Sequence, residues 1–597
     1  MFKGHPKGLF VAFFTNMGER FGFYTMMAIL VLFLQARYGL TEAQAGDYYS
    51  WFYFAIYALA LIGGLLADWT KKYKLIILLG QIIMFAGYTI IAIPDMPLTI
   101  ALLGLFIIAL GNGLFKGNLQ AVVGQLYDNE KYSKMRDSAF MVFYMGINTG
   151  AFFAPFIATG VRNWWLKSHG FLHDGSIPAL CHQFKNGTMT DTSQFADLAL
   201  KADLTGAYKN NLNGFADRYL DIFAQGYHYA FAVAACAMVI SLLVYVFFNK
   251  SIPDKEKAIV TEVKNEKTGA AITPIFVAIS LIAASALSFN YLMDNYKLGL
   301  AIGLFLGFAS WIFLSSTKDE KPRVTALLLV YVVVIFFWMS FHQNGLTLTF
   351  FARDYTVKEV GPITFLFFNL ESILCVIATI GGIVMVLGGN NDKKKKIIGA
   401  VVTLIFGAFC YYLIGTYSAN NPISPEVFQS FNPLFIVALT PLVMGFFELL
   451  NKKGLEPSTP RKIGIGMIIA ALGFLIVLVV SIKLVSPYLL GGVAPGADGR
   501  VSPYWLMNSY LVLTIAELFL SPMGLSFVSK VAPVRFQGLM QGGWLLATAV
   551  GNKLLFVGSL LWGKIELYML WGMFLFCCMI SAIFIFSIMK RLEGATK

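Results

Sequence analysis

TNMGERFGFYTMMAIL, residues 15–30, sets an acid beside a base, Glu19 and Arg20, inside an apolar run that extends over 9–36. That run exceeds the roughly 20 residues a helix needs to cross a bilayer. A charge at the centre of a membrane helix costs roughly 2.5–3.5 kcal/mol on insertion scales, so such residues face a bundle interior or a water-filled cavity. Helical spacing puts Asn16, Glu19, Arg20, Phe23, Tyr24 and Met27 on one face. Gly18 and Gly22 form a small-xxx-small pair on a neighbouring face, where another helix can approach closely. A polar, titratable, aromatic stripe facing inward suits a transport pathway. A structural ion pair buried in a helix bundle is the alternative, and these residues alone leave both open.

The rest of the chain agrees on a membrane class. The 597 residues are 58% hydrophobic and 13% charged, with a mean hydropathy of +0.70. Soluble proteins are about 25% charged. Apolar runs of spanning length recur from 9–36 to 567–589, about 16 in all. They predict an all-α polytopic membrane protein with no room between spans for a soluble catalytic domain. The first run is not a cleaved signal peptide, because Glu19 and Arg20 interrupt it and no small-residue cleavage site follows.

The net charge of +13 raises the question of nucleic acid, and its distribution answers no. The basic residues lie in alternate loops: Lys71, Lys72, Lys74, Lys131, Lys134, Arg136, Lys393–Lys396, Lys452, Lys453, Arg461 and Lys462. By the positive-inside rule those loops and both termini are cytoplasmic, with the chain in the plasma (inner) membrane. The six cysteines show no metal-ligand spacing and read as small apolar packing residues. Residues 162–226 form one long outer segment, either a small cap or an irregular loop. NNDKKKK at 390–396 reads as a cytoplasmic hairpin turn.

Few polar residues fall inside the other spans. Lys116 lies in GNGLFKGN, among Gly111, Gly113 and Gly117, which allow close backbone approach. A buried ammonium needs an anion: Glu19, Glu517 or a substrate carboxylate. Glu517 sits mid-span, one turn before Ser521 and Pro522. Asn148 and Asn432 offer amides, Tyr57 and Trp544 amphipathic rings, and His342 an imidazole able to titrate near neutrality. Lys483 and Lys553 read as snorkelling or carbonyl-bonding residues, and Glu371 and Glu448 as solvated span-end acids. No nucleophile–base pair or metal-ligand set appears, which argues against an intramembrane enzyme, and no signalling domain is appended for a receptor.

The motifs resemble those of the proton-coupled oligopeptide transporter family, a branch of the major facilitator superfamily. The family's first helix reads ExxERFxYYGMRAIL, against NMGERFGFYTMMAIL from Asn16 here. GGLLADWTKK at 63–72, GNGLFKGN, FYMGINTGA, FNPLFIV, AELFLSPMGLSFVSKVAP and GLMQGGWLLATAVGNK match further segments in order. The resemblance implies a major facilitator fold: two six-helix bundles plus two additional helical hairpins. The bundles would be 1–249 and 323–597, joined by a linker with an extra hairpin at 250–322, and 354–430 would be a second insertion. It implies proton symport of di- and tripeptides by a monomer, with protons as coupling ion and no cofactor.

Carried over by position, Arg20, Tyr24 and Lys116 would meet the peptide's carboxylate. Asn148, Asn432 and Glu517 would meet its amino end, and Tyr57 and Trp544 would line side-chain space. Glu19, Arg20, Lys116, His342 and Glu517 would serve proton coupling. The chain also departs from the pattern. The family's first glutamate is Asn16, its first tyrosine Phe23, its GMRAIL arginine Met27 and its helix-7 glutamate His342. An Arg–Glu outer gate is therefore excluded, and the proton work falls to Glu19, Glu517 or His342, or coupling is weaker. The same scaffold carrying another small anion or zwitterion is the competing expectation.

Overall fold

The computed structural model describes residues 4–128, 130–132, 135–252, 272–388, 392–491 and 494–595. Asn390 and Asn391 of the basic turn, and most of the linker at 253–271, lie outside them. Sixteen helices among the described residues are long and apolar enough to cross a membrane, as the apolar runs predict. Helices satisfy their own backbone polar groups, which lipid cannot do for them.

In the first half α1 (Lys7–Tyr38), α2 (Glu42–Thr70), α3 (Tyr73–Ala92), α4 (Leu98–Gln125) and α5 (Arg136–Ser168) cross in turn. After α6 (Ile177–Lys185) and α7 (Ser193–Ala202), α8 (Leu212–Phe248) crosses back. Gly39 ends α1 in the left-handed conformation, at φ 63°. A capping box between Thr41 and Gln44 starts α2 two residues later. Gly18 and Gly22 do seat α1 on a neighbour. A Cβ on Gly18 would lie 3.1 Å from Ser241 Cβ of α8, and one on Gly22 3.1 Å from the Ala234 carbonyl oxygen.

GNGLFKGN is wedged by two of its glycines. A Cβ on Gly111 would lie 2.6 Å from the Gly80 carbonyl oxygen of α3, and one on Gly113 2.7 Å from the Leu59 carbonyl carbon of α2. Gly117 differs from expectation, because the space beside it is open. Two close approaches already fix α4, and the third glycine only keeps bulk away.

The second half begins with the hairpin α9 (Ile272–Met293) and α10 (Tyr296–Leu314), which leans on α19 (Gln537–Lys553) and α11 (Lys321–Phe341). A 3-10 turn, His342–Gly345, breaks the next span before α12 (Thr347–Tyr355). Then α13 (Pro362–Phe365) leads to the inserted hairpin α14 (Leu370–Leu387) and α15 (Lys393–Thr416). Its ends are clasped by β1 (Glu359–Val360) against β2 (Asn421–Pro422), antiparallel. The bundle is completed by α16 (Phe431–Lys452), α17 (Thr459–Ser481), α18 (Pro503–Val531), α20 (Phe556–Leu561), α21 (Leu567–Ser587) and α22 (Met589–Ala595). Within it α17 packs on α18 and α21, α11 on α19 and α21, and α16 on α18. The halves meet where α2 packs on α19 and α20, and α5 on α16. By contrast α14 and α15 pack mainly on each other.

The 162–226 segment is a folded cap continuous with α5 and α8. Phe171, Ile177, Leu180, Cys181 and Phe195 are buried in the core with Phe215 and Tyr219 of α8. Phe171 bridges to Asp203, and the Tyr219 hydroxyl donates to the Leu172 carbonyl at 3.0 Å. Aromatic burial of this kind holds a short polar segment that has no disulfide. α8 starts at Leu212 rather than 227, so part of the expected loop is its first turns.

Candidate functional site

Between the halves lies a cavity of about 420 Å³. The first half lines it with Arg20, Tyr24, Tyr57, Lys116 and Asn148, and the second with Asn432, Glu517 and Trp544. His342, Asn16 and Met27 also line it. Of the residues expected to bind substrate or couple protons, Glu19 alone does not line it, being fully buried; Phe23, on the same face of α1, is buried outside the lining as well.

The first half supplies the cations. Arg20 donates from Nε to Glu19 Oε2 at 2.5 Å and from Nη2 to Glu19 Oε1 at 2.7 Å. Asn112 of α4 donates from Nδ2 to the same Oε1 at 2.7 Å. The fork leaves Nη1 of Arg20 without a hydrogen bond among the described residues, and its Cζ lies 4.7 Å from the Phe23 ring centre. Lys116 stands apart from this pair. Neither Glu19 nor Glu517 comes within 4 Å of its ammonium, which instead sits 4.0 Å from the centre of the Tyr57 ring. An aromatic face attracts a cation without donating a carboxylate to it, so no acidic side chain occupies the Lys116 amine among the described residues.

The second half supplies the anion. Glu517 Oε2 accepts from Asn432 Nδ2 at 2.9 Å, and the same amide reaches Thr514 Oγ1 at 3.1 Å. Thr514 in turn donates to the Tyr510 carbonyl at 2.7 Å. Asn148, which also lines the cavity, donates to the Tyr144 carbonyl at 3.0 Å, and its amide oxygen accepts no hydrogen bond among the described residues. A cationic wall thus faces an anionic one across a space sized for a small molecule.

His342 closes one end of the cavity. Its ring lies between Trp338, 4.6 Å away and stacked, and Tyr53 of α2, 4.6 Å away and tilted. Its Nδ1 donates to Asn552 Oδ1 at 2.5 Å. The departure from an Arg–Glu gate is therefore filled by an aromatic sandwich, with Met27 lining the cavity on α1.

Beyond His342, at the cap end, the halves are sealed by charge. Arg162 of α5 and Glu426 before α16 pair with both side chains fully buried. Tyr227 accepts from Arg162 at 3.2 Å and Ser424 accepts from it at 3.3 Å. Lys553 differs from expectation. Rather than snorkelling, it crosses the seam to Asp47 of α2 at 2.5 Å and to the Ser50 hydroxyl at 3.1 Å. Arg353 spans the seam as well, reaching Gln35 at 2.9 Å and Glu42 at 3.2 Å while forking with Asp354. Lys358 donates to Asp174 of the cap and, at 2.9 Å, to Ser176. Burial alone would raise the Asp174 carboxyl, but the Lys358 ammonium and the bonds from Lys358 and Ser176 outweigh it and hold it at about 2. At the other end the lining residues Gln120 and Leu525 are exposed.

Lys553 apart, these seam residues were missed from sequence because each lies at a span end or inside an insertion, where a charge reads as solvated. A model of the POT family matches residues 74–399 and 413–559. The chain is similar to the "Peptide transporter YePEPT" of Yersinia enterocolitica, at 26% identity over 92% of this chain and 87% of the relative. It is also similar to the "Dipeptide and tripeptide permease A" of Chromobacterium violaceum, at 25% identity over 92% and 83%. Among solved structures, a peptide transporter POT in complex with sulfate shares the fold at a TM-score of 0.65 and 24% identity, covering 100% of this chain and 96% of the other.

Proposed function

Because this chain belongs to the POT family, we propose that it imports di- and tripeptides by proton symport through alternating access. The observation that carries this reading is the split of charge across the cavity, with Arg20 and Lys116 on one half and Glu517 on the other. A zwitterionic peptide has one anionic and one cationic end. Arg20 and Lys116, with Tyr24, take its carboxylate; Glu517, Asn432 and Asn148 take its ammonium; Tyr57 and Trp544 bound the side-chain space. Contacts confined to the termini leave the side chains free to vary, as a nutrient importer requires.

Glu517 is the proton carrier best placed for coupling, since it faces the cavity and meets the substrate's ammonium only when ionised. His342, Glu19, Arg20 and Lys116 complete the coupling set. Two bundles, residues 1–249 and 323–597, rock about the cavity, with 250–322 joining them. With both termini cytoplasmic in the plasma membrane, the sealed cap end faces outward and the cavity is in its inward-facing state. One chain supplies the whole cavity, so a monomer suffices.

The test is uptake of labelled dipeptide into proteoliposomes under an imposed pH gradient. Wild-type protein accumulates dipeptide, whereas Glu517→Gln exchanges it without concentrating it. Full gradient-driven accumulation by Glu517→Gln would remove that residue from coupling. Failure of unlabelled dipeptides to compete would favour another small zwitterion as substrate.

A further inference from the structure

We propose that Asn112 is a positioning residue that aims Arg20 at the substrate's carboxylate, acting through Glu19. The inference rests on the reading above, that Arg20 meets a peptide carboxylate.

Residues i and i+1 of a helix point about 100° apart and do not face each other. A two-bond fork between Glu19 and Arg20 therefore needs an anchor from outside α1. Asn112 supplies one. It is fully buried and donates to Glu19 Oε1 at 2.7 Å, the oxygen that also takes Arg20 Nη2. The anchor is itself fixed. Asn112 stands between Gly111 and Gly113, the two glycines whose close approaches hold α4 against α3 and α2. One turn further along the same helix, Lys116 reaches the cavity. A single helix therefore places both cations, Lys116 directly and Arg20 through the Asn112–Glu19 relay.

A packing role does not explain Asn112. Its Oδ1 is buried with no hydrogen-bond partner among the described residues, a desolvation cost that leucine, of similar size, would not carry. What the amide gains for that cost is its bond to Glu19, beside a weak one at 3.8 Å to Met84 Sδ. The guanidinium is planar, and its grip on a carboxylate depends on orientation. With Nε and Nη2 held, the free Nη1 edge is presented in one direction.

The test uses the full chain in proteoliposomes. Counterflow is measured for a dipeptide with a free carboxylate and for the same dipeptide amidated at its C-terminus. Asn112→Leu is expected to raise KM for the free dipeptide about tenfold with kcat unchanged, and to leave KM for the amide within about twofold. An equal rise for both ligands overturns the proposal. Where Asn112→Leu does not fold, Asn112→Ala takes its place. A second measurement needs no transport: the rate at which phenylglyoxal modifies Arg20, read by mass spectrometry. Release from the fork should speed modification several-fold in Asn112→Leu, and an unchanged rate overturns the proposal. Wild-type protein that fails to exchange dipeptide at all, yet shows the modification contrast, removes the peptide reading and leaves the relay standing.

Discussion

Two arginines in this chain each fork with the acid beside them in sequence, and they stand at different places in the molecule. Arg20 forks with Glu19 at the cavity, and Arg353 with Asp354 at the seam. The partners beyond the fork differ. Glu19 takes a third bond from Asn112, and Nη1 of Arg20 is left without one among the described residues. Around Arg353 the extra bonds fall on the arginine, which also reaches Gln35 and Glu42 in the other half. An arginine with a free edge on a cavity has donors to offer a ligand, whereas one saturated across an interface is a fastener. The same dipeptide of charges yields either, according to which member the surroundings satisfy.

The largest effect should come from the free edge. Arg20→Ala is expected to cost about 100-fold in kcat/KM for a dipeptide, since truncating one member of a buried charge pair costs about 2–5 kcal/mol. A loss below tenfold would erase the distinction between the two arginines. Arg353→Leu should leave KM within about threefold while lowering the population closed at the cap end about tenfold. Spin labels on Gln44 and Val357 would report this as a longer distance. A large KM effect with an unchanged distance would reverse the two roles.

A smaller effect is expected at the edge of the seam, where Lys358 meets Asp174. The folded carboxyl, at about 2, lies below its ordinary 3.8. Its contribution is therefore complete above about pH 4 and is lost as pH falls through about 2. The contact should stay constant from pH 5 to 8, and Lys358→Met should shift the same label distance by a pH-independent amount in that range. Smallest of all, replacing 374–416 by a short linker should change kcat/KM by less than about twofold, because α14 and α15 pack mainly on each other and Phe368, against Phe428 and Phe431, is kept.

The spans and the cavity face of α1 were legible in the sequence because a charge within an apolar run cannot be accidental in lipid. Arg20, Tyr24 and Lys116 announce themselves by periodicity and depth. The seam does not, because Arg162, Glu426 and Arg353 sit near span ends, where solvent and burial look alike in one dimension. Lys553 shows the cost of that ambiguity: its place in the run fits snorkelling, and only the approach of α2 reveals Asp47. Asn112 was hidden for a different reason. An amide flanked by glycines reads as part of a packing motif until its partner, more than ninety residues earlier, is known. The cap was undecided because a segment of mixed polarity folds only where aromatic residues from α8 complete its core.

The clasp of β1 against β2 is only two residues on each side, yet it brings the entry and exit of the inserted hairpin to one point. The hairpin is tied to the bundle near its base, by the clasp and by Phe368 against Phe428 and against Phe431 of α16, while α14 and α15 pack mainly on each other. The hairpin can therefore tilt to suit a thicker or thinner bilayer, and its loop can change length, without transmitting strain to the cavity. It behaves as an outrigger: its share of the lipid boundary can adapt while the moving halves keep their alignment.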